Sequence, residues 1–139
     1  MIILDTNGIS EAARIFPSDI VRRWFAHQSR TDLHTTAVTE AEILLGIALM
    51  PDGKHRFEAE RANARIIERA LLGRVLPFDR DAAHEYASIV LERQRIGQPI
   101  QEADAQIAAI ARSRGAILAT RNVRDFEHCG VEIVNPWTA

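Results

Sequence analysis

The chain has 139 residues, 47% of them hydrophobic, enough for one compact domain with a single core and too few to demand a second. A formal net charge of −2 excludes a surface coated in basic residues for nonspecific nucleic-acid binding, so any such contact needs a local basic patch. The one cysteine, Cys129, excludes an internal disulfide and a cysteine metal cluster, and no apolar run is long enough to span a bilayer. Residues 1–4 meet a charge at Asp5 too early for a secretory signal, so a soluble, cytoplasmic protein without membrane attachment is expected. Arginine supplies nearly every cation, Lys54 being the only lysine. Guanidinium suits bidentate phosphate contacts, although a genome-wide codon bias explains the count equally well.

Ile2, Ile3 and Leu4 form a short apolar run that ends in the turn-prone Asp5, Thr6, Asn7 and Gly8, which predicts a buried strand followed by a loop and a helix. A second strand is predicted over about residues 33–38 and an apolar helix over about 39–50, closed by Pro51, Asp52 and Gly53. Residues 55–72 read as a helix with Phe57, Ala62, Ile66 and Ala70 near one face and a solvated charged face opposite. A third strand over 74–78 leads into a helix over 79–95, with Ala83, Ala87, Val90 and Leu91 inward. After the break at Gly97 and Pro99, a helix covers 102–114 and is closed by Gly115, and strands follow at 116–119 and 131–134. Strands alternating with helices, with no internal repeat or linker, predict an α/β fold: one domain with a parallel sheet flanked by helices on both faces.

Four carboxylates stand at informative places. Asp5 sits at a strand's carboxyl end, where open parallel sheets gather function, although turn and helix-capping chemistry also place aspartates there. Glu42 shares a helical face with Leu45, Gly46 and Leu49 on a helix that is apolar almost all round, which turns its carboxylate toward protein. Thr39 three residues earlier offers a capping box as the plain alternative, and on spacing alone Glu40 is an equal candidate. Asp104 opens the stripe Asp104, Ile107, Ala108, Ala111, and an acid on a buried stripe needs a partner, a cation or a functional cavity. First-turn helix-dipole stabilisation is the alternative there. Asp125 follows the strand at 116–119 with Phe126 beside it to pin the loop, or is an exposed turn acid. Four acids converging on one sheet edge repel one another, and a divalent cation relieves that repulsion. Oxygen-only ligands suit Mg²⁺ or Mn²⁺, ions that activate water for phosphodiester hydrolysis. His27, His34, His55, His84 and His128 are scattered, and no Walker loop, nucleophile elbow or HExxH motif is present.

In order along the whole chain, Ile3-Leu4-Asp5-Thr6-Asn7 with Ile9-Ser10-Glu11, Thr39-x-x-Glu42 with Leu45-Gly46, Ala103-Asp104-x-x-Ile107-Ala108, and Leu118-Ala119-Thr120-Arg121-Asn122 with Asp125-Phe126 resemble the PIN-domain ribonucleases. The tail Gly130-Val131-Glu132-Ile133-Val134-Asn135-Pro136-Trp137 also looks like the FitB-like branch of the VapC-like toxins of toxin–antitoxin pairs. The resemblance implies a Mg²⁺- or Mn²⁺-dependent endoribonuclease acting on RNA, with Asp5 and Asp104 as principal metal ligands. It makes Glu42 and Asp125 the other acids of the pocket and Asn7 and Thr120 polar support. It further implies a homodimer and a cognate antitoxin that inserts a peptide into the active-site groove and ties the complex to DNA only indirectly. Asn122 stands where other branches carry an acid, leaving Asp125 as the fourth carboxylate, and Gly8 stands where a larger apolar residue is common, which predicts a looser first helix. Two other readings are weighed: a weakly catalytic binding subunit of an antitoxin–DNA repressor, and an aspartate-nucleophile phosphatase. The second wants an acid two residues after Asp5, where Asn7 stands.

Overall fold

The computed structural model describes residues 1–139. Five strands form one all-parallel sheet in the order β3-β2-β1-β4-β5. The central strand β1 (Ile2–Leu4) alternates its side chains between two cores. Ile3 joins Leu118 of β4 (Ile117–Ala119) on one face, while Ile2 and Leu4 join Leu33 of β2 (Leu33–Thr36) on the other. Parallel strands need crossovers, and each crossover lays helices against a face of the sheet.

The second core lies under α1 (Thr6–Ala12), α2 (Asp19–Ala26) and the segment after α4 (Lys54–Ala64), through Ile9, Trp24, Phe25, Ile67 and Leu71. The first core lies under α5 (Arg80–Arg95), α6 (Glu102–Arg114) and the short α7 (Val123–Phe126). Helix α6 is the most buried element: Ala105 and every residue from Ile107 to Ala111 are enclosed. The small alanines let α5 and the sheet approach from two sides, and Gly115 closes the helix in the left-handed conformation that glycine adopts without strain. The remaining elements are α3 (Ala37–Ala48), β3 (Val75–Leu76) and β5 (Glu132–Val134).

The α/β architecture and all five strands agree with the sequence reading, while three local details differ. Helix α3 starts earlier than predicted, because Thr36 is its N-cap and its hydroxyl accepts the Thr39 N–H at 3.0 Å. Thr39 lies inside the helix and is fully buried. The predicted helix over 55–72 runs into a π-helical segment, Arg65–Ala70. The buried stripe is Asn63, Ile67 and Leu71, while Phe57 and Ala70 are exposed. In α5 the buried face is Ala82, Ile89 and Arg93, with Ala83, Ala87 and Leu91 on the outside. The aliphatic count favoured the wrong stripe there because the true one carries an arginine. Helices α2 and α7 had no separate prediction.

The inner face of α5 is directly testable. Ile89→Ala is expected to lower unfolding free energy by about 2–5 kcal/mol, and Ala87→Ser by less than about 0.5 kcal/mol, in urea denaturation followed by circular dichroism. Equal effects would mean that the helix presents its other face to the core.

Candidate active site

The strand order changes direction at β1, with β2 and β3 on one side and β4 and β5 on the other, which opens a crevice beyond the carboxyl ends of β1 and β4. Asp5 occupies the end of β1 and Thr120 the end of β4. Asp5 is only 4% exposed, and both carboxylate oxygens are engaged: Oδ1 accepts the Gly8 N–H at 2.9 Å as the cap of α1, and Oδ2 accepts the Thr120 hydroxyl at 2.6 Å. The Asp5 N–H in turn donates to the Ala119 carbonyl at 3.3 Å. Gly8 is thus a buried donor to the site, inside α1 and held by its cap. Burial pushes the Asp5 carboxyl above its ordinary range, against the pull of the Thr120 and Gly8 hydrogen bonds.

Glu42 projects from α3, and its Oε1 accepts the Thr6 hydroxyl at 2.8 Å. The N-cap at Thr36 removes the capping-box explanation for this residue, because Glu42 is not the third residue of the helix. Its side chain is exposed to the crevice, where the sequence pattern had turned it into protein. Asp104 lies in the first turn of α6 and is half-buried. Burial, followed by the charges of Asp125, Glu42 and Asp5, raises its pKa from 3.8 to about 6, with Arg93 pulling the other way.

Asp5, Glu42, Asp104 and Asp125 line one cavity of about 390 Å³, with Thr6, Asn7, Gln101, Ile107, Asn122 and Phe126 completing its wall. All four acids singled out from sequence are brought together, and none of the five histidines takes part. Thr120 sits behind the wall and holds Asp5, while its hydroxyl also accepts the Asn122 N–H at 3.0 Å. A larger cavity of about 600 Å³ between α2 and the π-helical segment contains no acid and has no comparable chemistry.

Arg93 is the residue that sequence reasoning missed. Its side chain is buried, donating through Nε to the Gln98 carbonyl at 2.6 Å and through one terminal nitrogen to the carbonyls of Asp125 and Glu127 at 3.0 and 2.9 Å. It fastens the α7 loop that carries Asp125 to the end of α5. The signal was present: Ala82, Tyr86, Ile89 and Arg93 recur at helical spacing, and a cation on a buried stripe asks for acceptors.

An oxygen-only set of acids whose mutual repulsion raises Asp104 fits a divalent cation. No group of three acids or histidines is drawn close enough to hold an ion alone.

Without a cation, this arrangement costs stability. The folded chain keeps a proton on Asp104 that the unfolded chain releases between about pH 4 and pH 6, so stability falls as pH rises through that window. At neutral pH Asp104→Asn is therefore expected to stabilise the metal-free chain by about 1–2 kcal/mol, a figure reduced for partial exposure, with the gain vanishing near pH 4. Urea titrations at the two pH values check this, and a destabilising substitution at neutral pH would refute it.

A family profile described as PIN domain matches residues 2–131. The chain is similar to the VapC ribonuclease Y4jK of Sinorhizobium fredii, with 42% identity over 137 residues covering 99% of this chain and 98% of that one. It is 37% identical to Toxin FitB of Neisseria gonorrhoeae over 137 residues, covering 99% of each. Among solved structures, a chain of FitAB bound to the IR36 DNA fragment superposes with a TM-score of 0.89 at 37% identity, covering 99% of this chain and 96% of that one. With the acidic crevice, the sheet order and the sequence profile in agreement, the chain belongs to the PIN domain family.

Proposed function

We propose that the chain is an endoribonuclease that hydrolyses phosphodiester bonds with Mg²⁺ or Mn²⁺, and that it is the toxin of a toxin–antitoxin pair. The observation that carries this reading is the convergence of Asp5, Glu42, Asp104 and Asp125, from four separate elements, on one crevice at the end of the central strand. Asp5 and Asp104 would hold the ion, which when bound neutralises developing phosphate charge and makes a water molecule nucleophilic. Thr120 and the Gly8 N–H orient the Asp5 carboxylate, and Thr6 orients Glu42, so the rotamers of two of the acids are fixed before substrate arrives. Asp104, raised to about 6 by burial and the neighbouring acids in the metal-free chain, would give up its proton on taking the ion. Arg93 keeps Asp125 at the rim by fixing its backbone.

The relatives support the partner side of the reading. The solved FitAB complex is bound to a DNA fragment, and this chain would meet DNA only through an antitoxin. A groove of about 380 Å³ shares Thr6 and Glu42 with the acidic crevice and is lined by Ile43, Ile47, Met50 and Asn63. Asn63 in its wall is buried, and its side-chain oxygen has no hydrogen-bond partner within the fold. Leu44 and Leu45 on α3 and Leu49 at its C-cap, at 51%, 60% and 76% exposure, form the apolar surface that a homodimer would cover. No helix is long and apolar enough to cross a membrane.

The test is cleavage of single-stranded and structured RNA by the purified chain freed of any copurifying protein, with Mn²⁺, with Mg²⁺ and with chelator. Metal-dependent cleavage is expected, reduced at least ~100-fold in Asp5→Asn and Asp104→Asn and by ~10–100-fold in Thr120→Val, which removes only the support for Asp5. Cleavage indifferent to chelator or to both aspartate substitutions would overturn the proposal. A chain that captures a partner and shifts DNA but never cuts RNA would establish the binding-subunit alternative.

A further inference from the structure

The acidic crevice repels the backbone of the substrate it is proposed to cut, and the net charge of −2 supplies no general attraction. Attraction has to be local. Beside the crevice, sharing Asn7 and Asn122 as common walls, lies a second cavity of about 450 Å³ lined by Glu11, Arg14, Arg121 and Trp137. The Arg121 guanidinium lies 5.7 Å from the centre of the Trp137 ring and enters none of the ion pairs of the fold. Arg14 pairs with Glu11 at 3.2 Å, and Glu11 is already engaged by the Ser18 N–H at 2.7 Å. Two guanidinium groups thus face one carboxylate, and the cavity keeps a positive excess directly next to the acids.

Its position relative to the reacting centre is fixed through the backbone. Arg121 follows Thr120, whose hydroxyl holds Asp5, and the Trp137 N–H donates to the Asn135 side chain at 2.9 Å behind the buried Pro136. An aromatic ring with a guanidinium at cation–π distance, open to solvent, offers a face to an unpaired base, and a guanidinium fork matches a phosphate. If Arg121 and Trp137 only pinned the end of the chain against the β4 loop, neither the sharing of walls with the crevice nor the unpaired guanidinium would be needed.

We infer that Arg14, Arg121 and Trp137 form a subsite for single-stranded RNA that takes the nucleotide adjoining the scissile phosphate, the arginines holding its phosphate and the Arg121–Trp137 stack its base. This rests on the nuclease reading above, and its test separates binding from cleavage. The affinity of a short fluorescein-labelled oligoadenylate is measured by anisotropy on chains carrying Asp104→Asn, over a range of salt. Arg121→Ala is expected to weaken binding ~10-fold and to lower the slope of log affinity against log salt by about 0.7, one phosphate contact. Trp137→Leu is expected to weaken it ~5-fold or more, and Arg121→Lys to restore the salt slope without restoring the full affinity. Because Arg121 is exposed, its variants report on binding even if Trp137→Leu disturbs the fold.

Unchanged affinity in both Arg121 variants, or no binding of the oligonucleotide by the parent, overturns the subsite. So does a result in which Arg121→Ala leaves oligonucleotide affinity intact but abolishes binding of an acidic peptide, which would assign the cluster to a protein partner. A wild-type chain that binds RNA through Arg121 yet does not cut it would refute the nuclease reading and leave the subsite standing. Unimpaired cleavage and binding by the Arg121→Ala, Trp137→Leu double variant would do the reverse.

Discussion

A carboxylate at the end of a central strand, almost closed off from solvent, has to be satisfied by the protein around it, and the way Asp5 is satisfied organises the rest of this molecule. One oxygen caps α1 through the Gly8 N–H and the other takes the Thr120 hydroxyl from the neighbouring strand. The pair of contacts sets the direction in which the chain leaves β1 and ties it to the end of β4 across the switch in strand order. From that tie the positions of Arg121 and Asn122 follow, and so does the wall that divides the acidic crevice from the basic cavity beside it. Each oxygen has one hydrogen bond, so the carboxylate is oriented while keeping lone-pair capacity for a further ligand.

The fold spends stability to hold the other acids near it. Asp104 is carried in by the most buried helix of the protein, and Asp125 is kept at the rim by an arginine whose donors are used on backbone carbonyls rather than on carboxylates. Arg93 lowers the repulsion at Asp104 only in part, because burial and three like charges act against it. A structure built for stability alone would place Arg93 in a direct ion pair with one of these acids. Using its guanidinium to shape the loop leaves the acids uncompensated, which suits a site completed by a cation and a phosphate.

The sheet and the four acids were legible in the sequence because they depend on short-range signals: an apolar run ending in a turn cluster at Asp5, a stripe broken by an acid at Asp104, a glycine at the end of α6. The ordered motif set supplied what spacing could not, namely the choice of Glu42 over Glu40. What stayed hidden depends on tertiary contacts. The inner face of α5 was misjudged because its anchor is the aliphatic stem and guanidinium of Arg93, two of whose carbonyl acceptors lie more than thirty residues away. The π-helical turn at Arg65–Ala70 leaves no mark in composition, and the buried stripe before it runs through a polar residue, Asn63, on the way to Ile67 and Leu71. Thr36 rather than Thr39 caps α3 because the strand stops two residues sooner than its β-branched sequence suggests, and that shift removed the competing explanation for Glu42.

The acids of the crevice are proposed to form one cation site. That is tested most directly by counting Mn²⁺ bound per chain by electron paramagnetic resonance at neutral pH, in the wild type and in a variant with both Asp5→Asn and Asp104→Asn. Saturable binding that weakens as pH falls through about 6 and is lost in the variant is expected. Equal Mn²⁺ binding by the two proteins would contradict a shared cation site.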